Sequence, residues 1–201
     1  MSYPVAMQDL STIVPPAVVA SITARTIELD FQMACEPLVG AFLRTLAATK
    51  PGGRFLELGT GTGMSAAWLL EGMDSTSTLV SVDVNPDVQA VAQESLGDDA
   101  RLTLVLSDGL EYLQNQPPHS FDFVFADAMP GKYEGLDEAL AVVKPGGFYF
   151  IDDLLPQASW PEGHAAKVPV LIETLATHHD FFILPIRWAS GVIVAVRKNP
   201  T

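Results

Sequence analysis

Glu57 is followed by Gly59, Gly61 and Gly63 at alternate positions, in the run Phe55-Leu56-Glu57-Leu58-Gly59-Thr60-Gly61-Thr62-Gly63. An apolar strand leads into the carboxylate, and a short apolar helix is expected to begin near Met64. Glycines let the backbone turn sharply and let a ligand come where side chains would collide. The start of a helix adds free N–H groups beside that approach. Together they describe a loop for a nucleotide-type ligand. Further acids recur at intervals: Asp83, Asp108, Asp127 and the pair Asp152-Asp153. Acids are common at strand ends and helix starts for ordinary reasons, but so regular a recurrence points to a site.

Those acids need elements to hold them. Beyond Arg54, strand and helix patterns alternate. The expected strands are 54–58, 79–83, 102–106, 121–126, 147–151, 181–184 and 192–196. The expected helices are 64–71, 86–96, 109–114, 132–142 and 165–177. Phe121-Asp122-Phe123-Val124-Phe125-Ala126 is almost continuously apolar, as a strand covered on both faces must be. The alternation predicts a doubly wound, Rossmann-like α/β fold with a mostly parallel seven-stranded sheet. The link at Pro185–Gly191 is too short for a parallel crossover, so the last two strands should form an antiparallel hairpin. The first 50 residues read as an N-terminal helical segment, with helices beginning near Pro15-Pro16 and at Pro37. Residues 51–201 read as the Rossmann-like core, the whole forming one domain. Ligands of such sheets bind beyond the carboxyl ends of the strands, where the acids fall.

Composition narrows the partners. The 201 residues are 48% hydrophobic and 17% charged, which suits a folded domain. The net charge of −13 argues against nucleic acid and against an anionic membrane surface. It favours a small-molecule partner. No run is long and apolar enough to span a bilayer, because Asp152 and Asp153 interrupt the best one. No secretory signal is evident at the N-terminus. The single cysteine, Cys35, excludes an internal disulfide and fits a reducing cytoplasm.

The spacing also separates the candidate nucleotides. A nicotinamide fingerprint needs G-x-G-x-x-G; Gly59 and Gly61 fit, but Met64 stands at the third position. No G-K-[ST] follows, so this is no P-loop. Asp83 closes the next strand, where it could hold ribose hydroxyls. Glu57 would repel a pyrophosphate, whereas S-adenosylmethionine (SAM) carries a positive sulfonium and ammonium and no phosphate.

The segment Glu57 to Gly63 resembles motif I of class I SAM-dependent methyltransferases. The likeness continues through Phe121–Ala128, Lys132-Tyr133, Val143–Gly147, Ile151-Asp152-Asp153, Leu184–Ile186 and Ser190–Val192. In that order they are similar to the catechol and caffeoyl-CoA O-methyltransferase group over about residues 33–198. The resemblance implies methyl transfer from SAM to a small-molecule hydroxyl. It implies that Glu57 and Gly59 face the methionine part of SAM, while Thr60, Gly61 and Ser65 shape the loop and helix start. Asp83 would accept from the ribose, and Asp108 and Gly109 would contact adenine. Met33 to Glu36 would edge the pocket. Relatives of this kind are commonly homodimers.

In metal-dependent members an acid at the Asp127 position binds a divalent cation near the methyl group, and an Asp-Asn pair after the fifth strand completes the set. Here Asp127, Asp152 and Asp153 would form it. Three carboxylates suit magnesium or calcium, or serve a different task. The basic residue is also displaced, because Met129-Pro130-Gly131 separates Lys132 from the acid. Without a metal, Lys132, His164 or an acid such as Asp127 would take the acceptor's proton. His164 otherwise reads as an exposed loop residue or helix cap, and His178 and His179 as solvent-facing. Two other functions remain compatible: a methyltransferase acting on nitrogen, and a SAM-binding protein without turnover.

Overall fold

The computed structural model describes residues 13–200. Residues 1–12 of the expected N-terminal helical segment lie outside the described residues. Helix α1 (Val19–Glu28) starts one turn after Pro15-Pro16, and α2 (Pro37–Ala47) has Pro37 in its first turn. The core then alternates: β1 (Arg54–Leu58), α3 (Met64–Gly72), β2 (Thr78–Asp83), α4 (Pro86–Leu96), β3 (Leu102–Leu106), α5 (Gly109–Gln114), β4 (Phe121–Ala126), α6 (Leu136–Ala141), β5 (Val143–Ile151), α7 (His164–Ala176), β6 (Phe181–Ile186) and β7 (Val192–Arg197). Among the described residues no helix is long and apolar enough to cross a membrane.

Seven strands form one sheet in the order β3-β2-β1-β4-β5-β7-β6. β3 through β5 run parallel, while β7 is antiparallel to both β5 and β6. The doubly wound sheet and its terminal hairpin are therefore as expected. The strand order reverses between β1 and β4. The segments that leave these two strands, Gly59–Gly63 and Asp127–Gly135, start side by side at that crevice.

Helices cover both faces. On one, Phe55, Trp68, Phe123, Phe125 and Phe150 are fully buried with α1, α2 and α3. Phe55 stacks on Phe123 with ring centroids 5.5 Å apart. On the other, Leu56, Val124, Tyr149 and Ile151 pack with Leu140 of α6 and Leu171 of α7. Burying each such side chain contributes about 1.5–3 kcal/mol, which fixes the strand ends that carry the acids.

Two boundaries differ from expectation in ways that matter for the site. Helix α6 starts only at Leu136, not at 132. Gly131 and Gly135 adopt φ of 81° and 68°, a left-handed backbone that ends helical continuation. Residues 129–135 instead form a tight loop in which the Tyr133 N–H donates to the Met129 carbonyl at 2.9 Å, and Gly131 N–H to Glu134 at 2.6 Å. β5 begins at Val143 rather than 147. Its pairing with β4 shifts register across Pro145-Gly146-Gly147, as Pro, which cannot donate to the ladder, requires.

Candidate functional site

The glycine loop is built around Glu57, which is fully buried at the end of β1. One of its oxygens, Oε2, accepts from the Ser81 hydroxyl, and that hydroxyl is also 2.7 Å from Thr60 Oγ1. Gln89 Nε2 donates to Thr60 Oγ1 at 3.2 Å and to the Val105 carbonyl at 3.1 Å. The second oxygen, Oε1, is buried with no partner. An unpartnered carboxylate oxygen costs free energy unless a donor arrives. Burial pushes the Glu57 carboxyl up to about 7, with the Ser65 and Ser81 hydroxyls partly offsetting it and Asp83 adding to it. Such a group is poised to receive a cationic ligand.

The loop geometry explains its glycines. Gly59 has φ of 101°, and a side chain there would lie 2.9 Å from the Asp127 carbonyl oxygen. At Gly61, φ is 50° and a side chain would point at Phe31, 3.2 Å away. The Gly59 N–H donates to Val82 at 2.9 Å. The Gly61 N–H donates to Asp83 Oδ2 at 2.8 Å, and Asn85 N–H to Asp83 Oδ1 at 2.8 Å. Asp83 is thus held beside the loop and keeps lone pairs for further donors. Ser65 is buried in the first turn of α3. From α1, Thr26 donates to Thr62 at 2.8 Å and braces the loop.

Asp108 caps α5, its Oδ1 accepting from Leu110 N–H at 2.9 Å and Glu111 N–H at 3.0 Å. It is exposed, and Oδ1 alone does the capping. Gly109 is buried, and a side chain there would strike Pro130 at 2.8 Å. This packing gives Gly109 a structural reason independent of any ligand.

Beyond the loop, past Asp127, lies a cavity of about 400 Å³. Cys35, Glu36, Asp127, Met129, Lys132 and Asp152 border it, as do Asp153, Trp160, His164 and Ser190. Burial and then the Asp152 charge push the Asp127 carboxyl well above its usual value, while Lys132 pulls it back. Burial also pushes Asp152 to about 6, against the Ser190 and Asp153 hydrogen bonds to its charged form. Glu36 Oε1 is buried without a partner.

The three acids share this cavity, but they are not gathered as a metal set. Among the described residues no three His, Cys, Asp or Glu side chains are placed to hold an ion. The reason is local. Asp152 Oδ1 accepts from the Ser190 hydroxyl and from the Asp153 N–H at 2.7 Å. Asp153 has φ of 64°, and its Oδ2 is turned to the Trp160 ring N–H at 2.6 Å. Lys132 Nζ lies 2.9 Å from the Asp152 carbonyl oxygen and 3.8 Å from Asp127 Oδ1. These donors do not fit a divalent cation as they stand.

His164 is not an exposed loop residue. It is buried at 7% exposure as the first residue of α7. Its ring lies 4.5 Å from the Trp160 ring, and its Nε2 is 3.2 Å from the Tyr133 hydroxyl. Burial and then Lys132 hold its pKa below the usual value. Burial and the charges of Asp153 and Asp127 push the Tyr133 hydroxyl up to about 12, so it stays protonated. His178 is partly buried, 3.5 Å from Asp137, and stands apart from the site, as does exposed His179. Sequence reasoning missed Ser81, Gln89, Trp160 and Ser190. Ser81 and Gln89 are polar residues in otherwise apolar inward positions, a signal that could have been read. Trp160 is brought in by the long loop after β5 and Ser190 by the turn between β6 and β7, and neither gives such a signal.

Known proteins are similar to this chain in sequence and fold. Residues 56–154 match a family described as "Methyltransferase domain". A "Putative O-methyltransferase" of Mycobacterium avium (strain 104) is 32% identical over 192 residues, covering 90% of this chain and 86% of the relative. A protein of the same description from Mycolicibacterium vanbaalenii is 32% identical over 136 residues; there the match takes in 65% of this chain and only 60% of the relative. An O-methyltransferase from Bacillus cereus, solved in complex with SAH, superposes with a TM-score of 0.81 at 21% identity, covering 95% of this chain and 96% of its own. TomG from Streptomyces achromogenes, solved with SAM, gives 0.80 at 22% identity, covering 94% and 92%. At that identity the two structures establish the fold, and the Mycobacterium avium relative establishes the family. The chain belongs to the O-methyltransferase family of which that relative is a member.

Proposed function

We propose that this protein binds SAM at the Glu57–Gly63 loop and transfers its methyl group to a hydroxyl oxygen of a small molecule held in the adjoining cavity. The observation that carries the reading is the buried, unpartnered Glu57 Oε1 beside the glycine loop. It wants a cationic donor, and the ammonium of SAM is one. Asp83, at the end of β2, takes the ribose hydroxyls. Gly59 and Gly61 leave the approach open, and Thr60 and Ser65 hold the loop and Glu57 in shape. Asp108 and Gly109 border the adenine.

The reaction is an in-line displacement. A lone pair of the acceptor oxygen forms the new O–C bond while the C–S bond breaks, and the sulfonium becomes a neutral thioether. Holding the two atoms close and collinear supplies much of the rate. The hydroxyl must also lose its proton. Asp127 follows β4 directly, its backbone abuts Gly59 and it lines the acceptor cavity, so its carboxylate would take that proton. Lys132 beside it stabilises the oxygen's developing negative charge. His164 and Trp160, with Tyr133 behind His164, form a wall of the cavity that would orient the acceptor. No step is routed through a divalent metal: Asp152 and Asp153 each have an oxygen bonded elsewhere, and the three carboxylates are not gathered around one point.

We place this activity in the cytoplasm, in a homodimer, with no nucleic-acid or membrane partner. The net charge of −13 supports the last point. An apolar groove between α2 and the terminal hairpin, with Leu38, Phe42, Ile186 and Trp188, supports self-association. The test is calorimetry: SAM and SAH should bind stoichiometrically and NAD should not. Preference for NAD, or no SAH binding, would reject the reading.

A further inference from the structure

We propose that the ammonium of Lys132 occupies the place where a divalent cation would sit, so that the protein carries its own positive charge at the acceptor and takes no metal. The role at the acceptor rests on the methyl-transfer reading; the claim about the metal does not. Lys132 is only 3% exposed. A buried ammonium is costly unless it is paired and hydrogen-bonded, so its position must be set by partners. One N–H of Nζ donates to the Asp152 carbonyl oxygen at 2.9 Å, and Asp127 Oδ1 lies 3.8 Å away. An ammonium has three donors. One is hydrogen-bonded, the Asp127 contact is an ion pair beyond hydrogen-bond distance, and Lys132 borders the cavity where an acceptor would lie.

The backbone fixes this arrangement. Met129-Pro130-Gly131 adds a turn before the lysine, closed by the Lys132 N–H to Met129 at 3.3 Å. A side chain at Gly131 would collide with Leu58 Cδ1 at 2.3 Å, so the turn is wedged against the end of β1. That places Lys132 between the two segments that carry Asp127 and Asp152. Meanwhile Ser190 and Trp160 draw the Asp152 and Asp153 carboxylates into bonds of their own. The sequence thus supplies a cation and also engages one oxygen each of Asp152 and Asp153. A metal at this place would have to eject a buried, bonded ammonium and break those hydrogen bonds.

The experiment is Mn²⁺ binding, read by electron paramagnetic resonance on the full chain saturated with SAH. The wild type should bind no Mn²⁺ up to about 1 mM. Lys132→Ala leaves Asp127 facing vacated space and should gain Mn²⁺ affinity at least tenfold; Lys132→Met serves if the alanine variant does not fold. Wild-type binding below about 100 μM that is lost in Asp127→Asn would overturn the proposal. So would a folded Lys132 variant with no gain. SAH binding is measured in the same samples, so failure of the cofactor reading shows there, independently of the Mn²⁺ result.

Discussion

Glu57 makes the cofactor reading measurable through pH. In the unliganded protein its carboxyl sits at about 7. If a cationic ammonium binds only to the ionised form, the apparent dissociation constant scales with the fraction ionised. With a pKa of about 7, roughly a tenth of the carboxyls are ionised at pH 6 and roughly nine tenths at pH 8. SAH should therefore bind about tenfold tighter at pH 8 than at pH 6, a difference of about 1.4 kcal/mol. The assay is calorimetric titration across that range, in buffers of differing ionisation enthalpy so that proton release is counted. Glu57→Gln should bind more weakly and lose the pH dependence. The same substitution should raise the thermal midpoint of the unliganded protein at pH 8. The sign follows from linkage. A folded pKa raised above the ordinary carboxylate value means that stability falls as pH rises from about 4.5 to about 7. At pH 8 the ionised, buried Glu57 costs the empty fold about 3 kcal/mol, which Gln avoids. A flat affinity profile in the wild type, or an equal slope in Glu57→Gln, would refute the reasoning.

Four further outcomes are expected. Gly61→Val should abolish SAH binding, since its side chain would meet Phe31 on a left-handed backbone; unchanged calorimetry would count against the loop as the approach path. Asp83→Ala should weaken SAH binding by about 1.5–3 kcal/mol, the scale of hydrogen bonds to a charged group, and an unaltered constant in a folded variant would remove its role at the ribose. Phe55→Ala should lower unfolding free energy by about 3–5 kcal/mol in denaturant, because the ring is fully buried against Phe123. Light scattering should report a dimer at micromolar concentration, and Trp188→Glu should yield monomers; a wild-type monomer would contradict the pairing.

Much of this was legible in the chain. The near-continuous apolar run at 121–126 and the glycines after Leu58 fix β4, β1 and their crevice through local pattern alone. Asp83, Asp127 and Asp152 fall at strand ends because strand lengths could be read closely. The failures share a cause. Residues 132–134 carry helix-compatible side chains, yet Gly131 and Gly135 on either side take left-handed backbones, and no periodicity records that. The turn moved Lys132 from a helix into the cavity. The acids were expected to converge because their strands are neighbours. Their side chains diverge because Ser190 and Trp160, 37 and 7 residues beyond Asp153, supply closer partners. His164 looked exposed because its surroundings come from Trp160 and Tyr133, which only tertiary structure assembles.

The central claim is methyl transfer from SAM to oxygen, and one measurement meets it directly. The protein would be incubated with methyl-labelled SAM and a panel of small phenols, catechols and aliphatic alcohols, with chelator present, and the products resolved by mass spectrometry. The account predicts an O-methylated product for at least one acceptor, one SAH released per methyl transferred, and loss of both in Asp127→Asn with SAH binding retained. No SAH above the enzyme-free rate across the whole panel, or a methyl group recovered on nitrogen, would contradict it.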